Sequence, residues 1–215
     1  NGLLFVNCGE NKLILKGLNE IKSIINWYPF ENLSFDKKAS KTYKINANWA
    51  LYCENYLEGF HIGYVHKGLS SDIENQSYET TLLEHGVLQM AKSKHKNDSI
   101  GGEGIINGIP SNQIYALYFW LFPNIMLNVY KWGISVNIIE PISKEKTRIR
   151  FISLPLNGLK QTQGKNNSID QIEAEDQKIV LSVQRGVKSK FYNKGRYSAK
   201  YEKGTHHFHR IISSY

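Results

Sequence analysis

Between Ile114 and Leu154 the chain is a succession of apolar, β-branched and aromatic runs separated by short polar breaks. Ile114–Phe122, Ile125–Tyr130, Gly133–Glu140 and Thr147–Leu154 read as strands, with a turn at Pro123–Asn124 between the first two. Breaks this short join antiparallel neighbours. Residues 76–92 read as two further strands turning at His85–Gly86, and Thr42–Ile45 as another. The apolar runs Leu3–Val6 and Leu13–Leu15 around Gly9 suggest a β-hairpin over residues 1–17. Two stretches change period. Asn46–Asn48 offers a cap for a short helix, and residues 168–191 have helical periodicity. Residues 18–42 are mixed, with Trp27, Tyr28, Pro29 and Phe30 expected to pack a connecting segment. Residues 93–112, rich in Lys, Asn, Gly and Ser, are expected to form a long mobile loop, and residues 157–168 a polar linker. A short helix, a meander of strands and a long helix predict an α+β fold, an antiparallel β-sheet with a long C-terminal helix on one face.

The late helix carries an anomaly. At 100° per residue from Ile169, the side chains of Ile172, Ile179, Val180, Val183 and Val187 fall within about 80° and form an apolar stripe. Asp176 lies about 20° from Ile169, in the middle of that stripe, while Glu173 and Glu175 fall toward its flanks. A carboxylate facing a core is costly unless it is paired or holds a metal. A salt bridge, a loop cap and metal ligation all stay open for Asp176 on this ground.

A second cluster lies in Asn48–His66, N-W-A-L-Y-C-E-N-Y-L-E-G-F-H-I-G-Y-V-H. His61 and His66 end it, with Glu58 three residues before the first. Two imidazoles and one carboxylate make the facial triad that binds non-haem Fe(II) and leaves positions open for oxygen and substrate. On an ideal helix, residues five apart diverge by about 140°. Gly59 and Gly63 make a broken or widened turn the expected way to bring the rings together. The other reading is two ordinary polar residues at a helix end. Glu58, by residue type alone, reads as an exposed helix carboxylate.

Composition narrows the field. Of 215 residues, 41% are hydrophobic and 21% charged, too apolar for disorder and enough to bury a core. The net charge of +8 is carried by scattered lysines. No basic run interleaves with aromatics, so nucleic-acid binding is not expected; the charge would suit an acidic redox partner. No run approaches the ~20 apolar residues of a membrane span. Cys8 and Cys53 form no C-x-x-C pair or disulfide framework, which suggests a reducing, cytoplasmic location.

The segment resembles the catalytic domain of Rieske-type non-haem iron oxygenase α subunits, the large subunits of ring-hydroxylating oxygenases. It matches that family's N-W-x-x-x-x-E-N-x-x-E-x-[YF]-H-x-x-x-x-H at Asn48, Trp49, Glu54, Asn55, Glu58, Phe60, His61 and His66. The run E-D-Q-K-I-V-L-S-V-Q-R-G from Glu175 is similar to the family's second signature, and G-T-H-H-F-H-R to its ending. The resemblance implies a helix-grip, START/Bet v 1-like fold and a mononuclear Fe(II) held by His61, His66 and Asp176. It implies that Glu58 bridges the iron to a neighbouring subunit's Rieske cluster and that Asn55 lies near the iron. Electrons would come from NAD(P)H through a reductase or ferredoxin and a [2Fe-2S] Rieske cluster. The substrates would be O2 and a small organic molecule in a cavity between sheet and helix. The assembly would be a homo-oligomer, often a trimeric ring. Phe119, Trp120, Phe122, Tyr130 and Trp132 could line the cavity, though core packing suits most of them better. His206, His207 and His209 are expected to be packed rings at a helix start rather than ligands.

The family's cluster ligands, C-x-H and C-x-x-H, do not occur in this sequence. Residues 1–40 are therefore expected to be the tail of an N-terminal Rieske domain with its connector, and 41–215 the mononuclear-iron domain. Two other functions compete. A non-catalytic small-molecule-binding module would use the same cavity without redox chemistry. A zinc hydrolase would use His61, His66 and an acid, with Glu58 as general base.

Overall fold

The computed structural model describes residues 13–66, Ile73, 78–160 and 169–214. Its centre is one antiparallel sheet of seven strands. These are β1 (Asp36–Ile45), β2 (Glu79–Leu83), β3 (Gly86–Lys92), β6 (Ile114–Leu121), β7 (Ile125–Tyr130), β8 (Gly133–Ser143) and β9 (Lys146–Pro155), in the order β1-β9-β8-β7-β6-β3-β2. Short turns link β6 through β9 as the apolar pattern predicts. The Pro123 turn enters through a cis Phe122–Pro123 peptide bond.

Both faces of the central strands are covered, which explains their continuous apolar runs. In β6, Leu117, Phe119 and Leu121 point one way, and Ala116, Tyr118 and Trp120 the other. The Phe119 face packs against helix α1 (Leu13–Ile24) and the following turn, through Ile21, Ile25 and Tyr28. The expected N-terminal hairpin is therefore a helix from Leu13 onward; residues 1–12 lie outside the described residues. Ile14, Leu18, Ile21 and Ile25 recur at helical spacing, a period that Leu13–Leu15 alone is too short to display.

The Trp120 face carries α2 (Trp49–Tyr56), α4 (Ile169–Val187) and α5 (Lys203–Ser213). Asn48 caps α2 as expected, its side chain accepting from the Ala50 N–H at 2.9 Å. Phe208 of α5 sits edge-on between Trp120, 5.0 Å away, and Trp49, 5.8 Å away. The helix that carries Asn55 is thereby pinned to the sheet.

Residues 93–112 do not form the structureless loop expected. They hold a one-turn helix (Lys96–Asp98), a small hairpin of β4 (Ile105–Ile106) and β5 (Ile109–Pro110), and a second one-turn helix (Ser111–Gln113). Gly102 and Gly104 let the Trp27 indole lie against the backbone; a Cβ there would stand 2.7 and 2.0 Å from the ring. The polar composition misled because this layer packs through backbone and one distant tryptophan. No helix among the described residues is long and apolar enough to cross a membrane.

Candidate metal centre

Three elements converge at one end of the Trp120 face. After α2 the chain turns through Leu57–Phe60 into the four-residue helix α3 (Ile62–Val65). His61 precedes that helix in helical conformation. His66 follows it and leaves helical geometry, with φ −100° and ψ 71°. This broken turn defeats the 140° divergence of a regular helix and sets the two rings 5.1 Å apart, edge to face. From the opposite side α4 delivers Asp176. Its Oδ1 lies 3.1 Å from His66 Nε2 and 3.6 Å from His61 Nε2. One donor atom from each of the three residues lies within 4.8 Å of the others.

The remaining edges of the three side chains are held by neighbours. His61 Nδ1 meets Glu58 Oε1 at 2.5 Å, and the other Glu58 oxygen accepts from the Phe60 and His61 N–H groups. His66 Nδ1 meets Glu175 Oε2 at 2.8 Å. Asn55 donates to Asp176 Oδ1 at 2.8 Å. Ionised carboxylates only accept, so both histidines donate from Nδ1, which in the neutral ring leaves Nε2 with a lone pair. Two lone pairs and a carboxylate oxygen then face one another in a small space. Such an arrangement repels itself unless a cation or proton sits between. Cis ligands at about 2.1 Å from an ion stand about 3 Å apart, so the observed spacing fits a metal. Carboxylate–histidine–metal relays of this kind fix the tautomer and raise ligand basicity.

Protons compete for the same place. Burial lowers the His66 pKa, but the Asp176 and Glu175 carboxylates outweigh it and the net shift is upward. Metal uptake must therefore release a proton and strengthen as the pH rises. Glu58→Gln and Glu175→Gln are each expected to weaken metal binding about 10- to 100-fold while leaving the three ligands in place. Competition titration of each variant against a chelator checks this.

Sequence reasoning placed Asp176 at the centre of the buried stripe, flanked by Glu173 and Glu175. The structure turns the buried face of α4 by about 60° from that centre. Among its described side chains Glu173, Val180 and Gln184 are buried, Asp176 is half-buried and Val183 is 43% exposed. The reason is that α4 rests on α2 as well as on the sheet. Tyr52 of α2 donates to Glu173 Oε2 at 2.6 Å, and Gln184 accepts from the Asn48 N–H at 2.7 Å.

Burial pushes the Glu173 carboxyl up to about 8, against the lowering effect of its bonds from Tyr52 and Gln177. A raised acid binds its proton more tightly folded than unfolded. Its cost to stability is absent below the unfolded value near 4.5, grows through the window to about 8, and is complete above it. Glu173→Gln should therefore stabilise the metal-free chain by an amount on the order of a few kcal/mol at pH 8 and by almost nothing near pH 4. Urea titrations at both pH values read this directly.

A cavity of about 110 Å³ opens beside the triad. Asn128, Ser135 and Asn137 supply polar wall, and Tyr52, Tyr56, Tyr78, Tyr118, Tyr130 and Phe151 supply aromatic wall. Of the five aromatic residues considered from sequence, only Tyr130 lines it. Phe119 and Trp120 are fully buried core, and Trp132 stacks behind Tyr130. The missed tyrosines left a faint signal. Tyr118 and Tyr130 occupy the same face of adjacent strands, and Tyr52 and Tyr56 are one turn apart on α2. Burial holds the Tyr52, Tyr56, Tyr78 and Tyr118 phenols far above their ordinary range, so they stay neutral.

The C-terminal histidines are engaged elsewhere, as expected. His207 Nε2 bonds the Leu83 carbonyl at 2.8 Å, and His209 Nε2 bonds Glu54 at 2.7 Å. Tyr197 packs on the rings of His206 and His209.

Comparison with known proteins identifies the family of the chain. The model for the catalytic domain of the ring hydroxylating alpha subunit matches residues 30–215. A chloroplastic choline monooxygenase of Arabidopsis thaliana is 34% identical over 80% of this chain and 40% of its own length. The carnitine monooxygenase oxygenase subunit of Escherichia coli K12 is 29% identical over 80% of this chain and 48% of its own. The chain thus spans less than half of either relative. Among solved structures, a quaternary ammonium Rieske monooxygenase superposes with a TM-score of 0.72 at 22% identity, covering 94% of this chain and 55% of that one. A naphthalene 1,2-dioxygenase gives 0.66 at 13% identity, over 94% and 60%. At such identities the likeness is one of fold: the same mostly antiparallel sheet with helices. With the family model covering residues 30–215, this chain belongs to the catalytic-domain family of ring-hydroxylating, Rieske-type oxygenase α subunits.

Proposed function

We propose that the chain is the catalytic portion of a monooxygenase that inserts one oxygen atom of O2 into a small quaternary ammonium compound. Its mononuclear Fe(II) would be held by His61, His66 and Asp176. The observation that carries the reading is the convergence of these three donors beside an aromatic cavity, each backed by a carboxylate or amide. When bound, ferrous iron supplies the chemistry of oxygen activation. The overall reaction consumes O2, two electrons and two protons, and yields hydroxylated substrate and water. The electrons are proposed to come from NAD(P)H through a reductase or ferredoxin and a [2Fe-2S] Rieske cluster, whose ligands are not in this sequence.

The chain's residues do the remaining work. Glu58 and Glu175 orient the imidazoles, and Asn55 holds Asp176 by one oxygen. The tyrosines exclude water and offer π-faces to a cationic head, the arrangement that recognises quaternary ammonium groups. Two relatives act, by name, on choline and carnitine, which supports this class over an aromatic ring. Phe60, Tyr64 and Tyr201 form an exposed aromatic cluster next to Glu58. That patch would suit the docking of a neighbouring subunit's cluster domain against Glu58 in a homo-oligomeric ring.

Anaerobic Fe(II) reconstitution followed by nitric oxide tests the reading. An S = 3/2 iron–nitrosyl signal perturbed by choline supports it. A signal indifferent to choline and carnitine but altered by an arene would replace the substrate class with ring hydroxylation. Tight zinc binding with ester or peptide hydrolysis would favour the hydrolase instead.

A further inference from the structure

Among the described residues, Glu173 is the one carboxylate of the cavity wall that the metal site does not use. Glu58 and Glu175 each bond a ligand imidazole, and Asp176 is itself a ligand candidate. Glu173 is 3% exposed and its two oxygens meet uncharged partners only, the Tyr52 hydroxyl at 2.6 Å and the Gln177 amide at 2.9 Å. Among the described residues no Lys or Arg lies within ion-pair distance of it. A buried carboxyl without a cationic partner is expensive and would be replaced by Gln or Leu if it served packing alone. It lies in the same wall as the tyrosines, and its hydrogen-bond partner Tyr52 is one of them.

Resting on the quaternary ammonium reading above, we propose that Glu173 is the residue by which this cavity prefers a cationic substrate over a neutral one of the same shape. Aromatic faces favour a cation over a neutral tert-butyl group, but through a ring quadrupole and not through a full opposite charge. Burial keeps the Glu173 carboxyl protonated up to about pH 8 in the empty cavity, so a cation discriminates sharply by displacing that proton and pairing with the carboxylate, whereas a neutral head leaves the acid uncharged. Glu173 thus sets which head group enters, and the tyrosines set its size. Tyr52 holds the carboxylate in place through its hydroxyl.

The test is calorimetric titration of the 215-residue chain, loaded anaerobically with Fe(II), with choline and with its neutral isostere 3,3-dimethylbutan-1-ol. Glu173→Gln should reduce the preference for choline by about tenfold or more, chiefly through weaker choline binding, with iron content unchanged. An unchanged preference in Glu173→Gln, with choline still bound by both proteins, overturns the role of Glu173 alone. Failure of the unaltered chain to bind choline or carnitine overturns the quaternary ammonium reading and this proposal with it. A structure of the unaltered chain with tetramethylammonium gives an answer that does not depend on the variant folding. Its nitrogen within about 6 Å of the Glu173 carboxylate supports the proposal, and a greater distance overturns it.

Discussion

Asp176→Ala should lower the affinity of the reconstituted chain for Fe(II) by more than about a hundredfold, taking occupancy from about one ion per chain to less than about a tenth at micromolar metal. Among the described residues, Asp176 is the sole carboxylate whose oxygen faces both imidazole Nε2 atoms. Without it the site is two neutral nitrogens, which bind ferrous iron weakly and supply no charge to balance it. The substitution also releases the Asn55 amide. Because Asp176 is half-buried and surrounded by acids, its loss should not unfold the domain. Colorimetric iron determination together with a melting curve separates loss of ligation from loss of fold. Asp176→Glu reaches further along the same direction and should retain part of the iron.

The second large effect concerns packing. Phe208→Ala is expected to cost about 3–5 kcal/mol of stability. The ring is fully buried between Trp49 and Trp120, and α5, α2 and the sheet meet on it. Its removal leaves a cavity that two indoles cannot fill by simple rotation. The effect should reach the metal site. α2 is fixed to the sheet partly through that ring, and α2 carries Asn55 and leads into the His61 turn. The variant should therefore show a lowered urea midpoint and weaker iron binding together. Phe208→Leu should recover most of both, since it keeps much of the volume.

The sheet was legible because its central strands are continuous apolar and aromatic runs cut by tight turns. β7 begins and ends where the apolar run does, and β6, β8 and β9 agree within a few residues. The helix α1 was not, because Leu13–Leu15 reads equally well as strand. Only its packing on Phe119 and Leu121 selects the helix. The pairing of His61 with His66 was visible as residue types but not as geometry, since it depends on His66 leaving helical conformation after a single turn. Asp176 was found by periodicity, although the true buried face centres on Glu173 and Val180. That rotation cannot be derived from the pattern of α4 alone. It is set by Tyr52 and Asn48 on another helix. The tyrosine cavity was missed for a related reason. Its members come from α2, the approach to β2, β6 and β7, and no local window contains more than two of them.

The most direct measurement is diffraction from crystals of the chain grown anaerobically with Fe(II), recorded on both sides of the iron absorption edge. One anomalous peak within about 2.0–2.3 Å of His61 Nε2, His66 Nε2 and an Asp176 oxygen is the predicted result. A peak bound instead by the C-terminal histidines, or no ordered iron with Asp176 neutralised by another partner, would contradict it.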